Sequence, residues 1–228
     1  ATAGGLATLN GLWQAPDVEL ASNDINIGAN GGIDAGNTGF IRLVSTNGTQ
    51  ALIGDGLTGT GYALSDAEFG RLSAGNLEIL ARGDASAAID MLIGNLTITG
   101  PLAGSTIDDP FGSVTFAVGD PQAESVGGVI RITGSVRANG FTDDNGLEFF
   151  ADRFELDAET GLLEITSNGT DLAGEIFIAA DRVHVASSSI LDQLAADPNY
   201  AGHEDDLNAP AAVQRPAHHE LLQKQHDE

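Results

Sequence analysis

The chain has no cysteine among its 228 residues, which excludes a disulfide framework and any thiolate metal site. Its only lysine is Lys224, and the other eight cations are arginines set against 33 acidic residues, for a formal net charge of −24. Such a polyanion repels nucleic acid and anionic lipid, so neither is expected as a partner. The same charge attracts divalent cations and basic surfaces, and it keeps a strand-rich chain in solution. No apolar run approaches the ~18 residues needed to cross a bilayer as a helix, so no membrane insertion is expected. Aromatic residues are only 5%, so a core must be built from Leu, Ile, Val and Ala. The first residue is Ala1, not Met, as expected after removal of a leader or for an internal piece of a longer polypeptide.

What the chain has instead is a repeated short phrase. Gly75-Asn76-Leu77-Glu78-Ile79-Leu80-Ala81 and Gly94-Asn95-Leu96-Thr97-Ile98-Thr99-Gly100 each join a turn to an alternating apolar/polar run. Period-two alternation predicts a strand with one buried face. Leu77, Ile79 and Ala81 are expected to point inward, and Glu78 and Leu80 outward. Similar runs include Val18-Glu19-Leu20, Ile41-Arg42-Leu43, Val114-Thr115-Phe116, Ile130-Arg131-Ile132, Leu163-Glu164-Ile165 and Val183-His184-Val185. Many begin roughly 16–20 residues after the last, the mark of a repeat architecture. Thirty glycines against seven prolines suit tight corners between strands.

With no amphipathic helices between strands, a doubly wound α/β sheet is excluded. Antiparallel sandwiches would need regular two-residue hairpin turns. The expected fold is all-β: a parallel β-helix, or solenoid, with short helical insertions and a polar C-terminal tail. Residues 1–17 form an entry segment or N-terminal cap, 18–196 the β-helix and 197–228 the tail. Ser65 and Glu68 form a capping-box pattern that predicts a helix of one or two turns, with Leu64 and Phe69 packing inward. A second short helix is expected over Ser189–Ala195. The duplicate hexads 151–156 and 180–185, each carrying Asp-Arg, suggest stacked outer ion pairs of little energy.

Several repeats resemble those of filamentous-haemagglutinin-type proteins, exoproteins exported by a two-partner pathway. The resemblance rests on Ser22-Asn23-Asp24-Ile25-Asn26-Ile27-Gly28, Gly61 to Glu68, Ala74 to Ile79 and Ala180-Asp181-Arg182-Val183-His184-Val185-Ala186, and it spans roughly residues 18–200. It implies a right-handed parallel β-helix and an extracellular or bacterial outer-surface location. The Asn-Pro-Asn turns of that family's secretion domain are absent, so this segment is not expected to be the export signal itself.

Candidate sites are few. Arg82-Gly83-Asp84 matches the integrin-binding tripeptide, against a plain charged turn as the simpler reading. Asp143, Asp144 and Asn145, and separately Asp108-Asp109, are oxygen clusters that could hold calcium, but they lack EF-hand spacing. Gly54-Asp55-Gly56-Leu57-Thr58-Gly59 matches a dinucleotide loop without its βαβ context. Glu155, Glu164 and His184 could line a sugar-cleaving groove, although no aromatic platform accompanies them. His218, His219 and His226 lie in the polar tail, where a solvated role is expected rather than a metal site. No nucleophile arrangement can be assembled, and no cofactor or enzymatic activity is expected. The sequence therefore leads to a structural or adhesive segment whose partners are a host or neighbouring cell surface, or further copies of itself. A carbohydrate-active enzyme, or a non-catalytic glycan- or calcium-binding module on the same scaffold, is the alternative.

Overall fold

The structure is a computed structural model that describes residues 2–46, 50–82, 89–99, 114–120, 125–126, 128–141, 146–157, 160–166 and 175–185. The chain divides into two compact units, Ala1–Val183 and His184–Glu228. Only His184 and Val185 of the second lie among the described residues, so the fold below is that of the first.

It is nearly all β. In chain order come β1 (Thr2–Leu9), β2 (Leu12–Gln14), β3 (Asp17–Ile27), β4 (Gly32–Ser45), β5 (Gln50–Ile53), β6 (Tyr62–Leu64), the single-turn helix α1 (Asp66–Phe69), β7 (Leu72–Ala81), β8 (Asp90–Ile93) and β9 (Leu96–Thr99). There follow β10 (Val114–Asp120), β11 (Ser125–Val126), β12 (Val129–Ile132), β13 (Ser135–Asn139), β14 (Gly146–Leu156), β15 (Leu162–Thr166) and β16 (Glu175–Val185). Thirteen strands belong to one large sheet, curled like a half-barrel, and β9, β13 and β15 form a second. Among the described residues, strand pairing is parallel in every register except the short β10–β11 contact, and the isolated Asp55–Asn95 bridge is antiparallel.

The registers form five runs of paired segments, and the chain visits these in an order that groups them as three ladders, although among the described residues no register joins 24–27 to 62–64 or 72–74 to 96–99. The first contains residues 17–22, 40–45, 76–81, 114–118 and 147–150. The second contains 6–9 beside 24–27, then 62–64, 50–53, 90–93, 129–132 and 153–156. The third contains 12–14, 32–34 and 72–74, and, in the smaller sheet, 96–99, 135–139 and 162–166. Long strands bend at a corner and serve two ladders: β14 pairs with β10 through Leu147–Phe150 and with β12 through Arg153–Leu156.

Alternation places one side of each ladder in a common core. Val18, Ile41, Leu77, Val114 and Leu147 form one inward row, and Leu20, Leu43, Ile79, Phe116 and Phe149 the next; all are buried. Leu77, Ile79 and Ala81 do face this core, while Leu80 faces away from it. The three ladders differ in connection length, so equivalent positions are unevenly spaced along the chain. Val18 and Ile41 are neighbours across 23 residues, Ile41 and Leu77 across 36. Ala7 and Ile25 are neighbours across 18 residues and Trp13 and Ile33 across 20, so the 16–20-residue spacing expected from the sequence matches the return to a ladder only at the N-terminal end.

Corners demand close backbone approach. Gly128 has φ +100°, and a Cβ there would collide with the Ile89 carbonyl oxygen. Only glycine combines that torsion with that proximity.

One stretch breaks the order. β5 pairs forward with β8, and the chain then doubles back so that β6 lies between β5 and β3. The glycine-rich loop 54–61 makes this return. It joins two parallel strands with no intervening helix, which is not the setting of a nucleotide-binding loop.

Candidate interaction surface

The return of β6 leaves backbone groups that strand pairing does not satisfy, and carboxylates take them. Asp24 Oδ1 accepts from Ile25 N and from Ala63 N, both at 2.9 Å. Glu68 Oε1 accepts from Ile27 N at 2.9 Å, while its Oε2 accepts from Ser65 N at 3.0 Å and Ser65 Oγ at 2.7 Å. The expected capping box is therefore formed, and its glutamate also binds a strand 41 residues away. Arg71 Nη1 donates to the Ile27 carbonyl at 2.6 Å. On the far side Asp66 accepts from Thr97 N at 2.6 Å, and Asp55 accepts from Asp66 N at 3.2 Å. These acidic groups act as a clasp, each holding a main-chain N–H. Leu64 and Phe69 are buried in the core as expected, and Phe69 stacks on Phe116 with centroids 6.5 Å apart.

Tyr62 sits under this clasp, fully buried, and its hydroxyl has no hydrogen-bond partner among the described residues. Burial first, and then the nearby negative charges of Asp24 and Glu68, push the phenol well above its usual range. The neutral form is locked in.

The outer side of the first ladder carries two parallel rows. Glu19, Arg42, Glu78, Thr115 and Glu148 are in register. Arg42 Nε meets Glu78 Oε2 at 2.6 Å and its Nη1 lies 3.8 Å from Glu19 Oε2, while the guanidinium sits 5.2 Å from the Phe40 ring centre. Thr115 Oγ1 donates to Glu148 at 2.7 Å. Beside them run Ala21, Val44, Leu80, Ala117 and Phe150, of which Val44, Leu80 and Ala117 are buried although they point away from the core. Phe150 contacts Phe177 at 5.8 Å.

The groups singled out in the sequence are dispersed. Glu155 lies on the second ladder and is held by Arg131 at 2.5 Å and Arg153 at 2.8 Å. Glu164 lies on the third and pairs with Arg137 at 3.4 Å. The arginine of the first Asp-Arg hexad thus turns to Glu155. His184 is exposed. Arg82 follows β7, is exposed, and donates its N–H to the Ser45 carbonyl at 3.1 Å. Gly83, Asp84, Asp108, Asp109, Asp143, Asp144, Asn145, the stretch 189–195 and the three tail histidines lie outside the described residues. Among the described residues no three His, Asp or Glu side chains converge as a metal site, and no helix is long and apolar enough to cross a membrane.

Sequence reasoning missed the carboxylate clasp and the doubled-back strand. It also missed that the outward apolar row continues across strands. A signal existed for the last: the adjacent apolar pairs Leu43-Val44, Ile79-Leu80, Phe116-Ala117 and Phe149-Phe150 recur at one register position. In comparisons with family models, curated proteins and solved structures, nothing matches the chain.

Proposed function

We propose that the chain is a parallel β-helix, right-handed as in the exoprotein repeats it resembles, and serves as a structural and adhesive segment of a secreted or cell-surface bacterial protein. The observation that carries this reading is the fixed order in which the chain visits three parallel ladders around one apolar core. A stack of this kind resists bending because successive circuits are tied by main-chain hydrogen bonds, and its variable corners offer surface for binding. The paired state of Glu155 and Glu164 favours this over sugar cleavage, since a catalytic carboxylate pair must converge on one groove.

The test is attachment. Beads coated with the 228-residue chain are expected to bind epithelial or bacterial cells saturably, with soluble chain competing. Coated beads that bind no better than beads carrying an unrelated acidic protein, across both cell types, would remove the adhesive half of the proposal.

A further inference from the structure

The edge of the fold formed by β1 and β2 is unguarded. No charged side chain occurs from Ala1 to Pro16, in a chain whose charged residues make up 18%. Among the described residues β1 pairs only with β3 and β2 only with β4. Natural edge strands are usually blunted by lysine, proline, bulges or short length. β1 is eight residues long and carries neither lysine nor proline. Its one register shift, between Ala3 and Leu6, leaves Leu6–Leu9 regular. Trp13 is 44% exposed, although its register partner Ile33 is 0% exposed. Leu6 and Leu12 are exposed as well. At the other end, β16 pairs only with β14 among the described residues, and Ile176, Phe177 and Val183 are exposed.

We propose that this uncharged edge docks a second copy of the same chain, whose β16 edge adds to β1 so that copies stack end to end. The inference rests on the scaffold reading above and names its partner. β1 adjoins β3 and β16 adjoins β14, and β3 and β14 both span the first and second ladders, so a second copy brings a strand of matching spacing beside the exposed Leu6. Charge selects the geometry. Two chains of net charge −24 repel most when their flanks face each other. β16 carries Glu175, Asp181 and Arg182, and the uncharged first edge sets no like charge against its two carboxylates while keeping the acidic flanks apart. A contact that joins two different surfaces leaves one of each kind free, so end-to-end stacking propagates as an open chain rather than closing into a ring.

The test uses the full chain in sedimentation velocity across concentration at low and high salt, with electron microscopy of the same samples. The wild type is expected to form concentration-dependent linear multimers, strengthened by salt as repulsion is screened. Leu6→Glu with Thr8→Glu places two charges at exposed positions of the first edge, and Phe177→Glu places one at the other. Each variant alone should be monomeric. Mixed, they should give two-copy complexes and nothing longer, because one intact edge of each kind remains. A wild type that stays monomeric at every concentration and salt overturns stacking; so does a dimer that survives Phe177→Glu, which would mean that two first edges pair with each other. If that monomer keeps the circular-dichroism signal of a β-sheet, only stacking fails. A wild type without that signal overturns the scaffold reading as well.

Discussion

Arg42 and Arg137 occupy similar outward positions, yet their surroundings set different energies. The Arg42–Glu78 contact is 2.6 Å, and the Glu78 side chain is only 12% exposed. Arg137 and Glu164 are 58% and 47% exposed and 3.4 Å apart. Removing Arg42 leaves a largely desolvated carboxylate without its guanidinium, so Arg42→Ala should cost about 2–3 kcal/mol. Arg137→Ala should cost under about 1 kcal/mol, because water already solvates both partners. Urea titrations of both variants check this as a shift in midpoint at constant slope. Tyr62 yields a second expectation. Its hydroxyl is buried without a partner among the described residues, so Tyr62→Phe should be neutral or stabilising by roughly 1 kcal/mol. The folded phenol titrates above its ordinary value of 10.0, so the folded state holds its proton where the unfolded state has lost it. Stability should therefore be unaffected below pH 10 and fall as pH rises beyond it. Thermal melts between pH 8 and 11 should show the decline in wild type and a flatter profile in Tyr62→Phe.

At the scale of elements, the inward rows were legible in the sequence because alternation is a local property. Leu77, Ile79 and Ala81 could be assigned from the spacing alone, and so could α1, whose cap lies within Ser65–Glu68. The order of strands was not legible. β5 and β6 carry the same short apolar pattern, Ala51-Leu52-Ile53 and Tyr62-Ala63-Leu64, so nothing local distinguishes the strand that advances from the one that returns. Nor does a single Asp24 or Glu68 reveal that it accepts a main-chain N–H from a distant strand, since that partner exists only once the return is made. Corner glycines fall between these cases: the sequence marks a turn, and only the structure separates tight corners from open ones. Gly128 and Gly36 both have positive φ, but a Cβ at Gly36 meets nothing within 4 Å. Gly36→Ala should cost only the torsional penalty of about 1–2 kcal/mol. Gly128→Ala adds a collision with the Ile89 carbonyl and should cost clearly more. Differential scanning calorimetry of the pair separates torsion from space, and equal losses would show that the corner yields.

At the scale of the whole molecule, the proposed scaffold and the proposed stacking of copies both depend on the parallel ladders and the order in which the chain visits them. The chain contains no cysteine, so pairs of cysteines can be introduced without background. Thr97, Arg137 and Glu164 are exposed and in register on β9, β13 and β15, so each should lie about 4.8 Å from the next across the ladder. Thr97→Cys with Arg137→Cys, and Arg137→Cys with Glu164→Cys, should each cross-link rapidly with a short bismaleimide. Thr97→Cys with Arg131→Cys, on different ladders, should not. Rapid linkage within the third ladder and none between ladders is the predicted result; no linkage within it, or equal linkage for all three pairs, would contradict the fold.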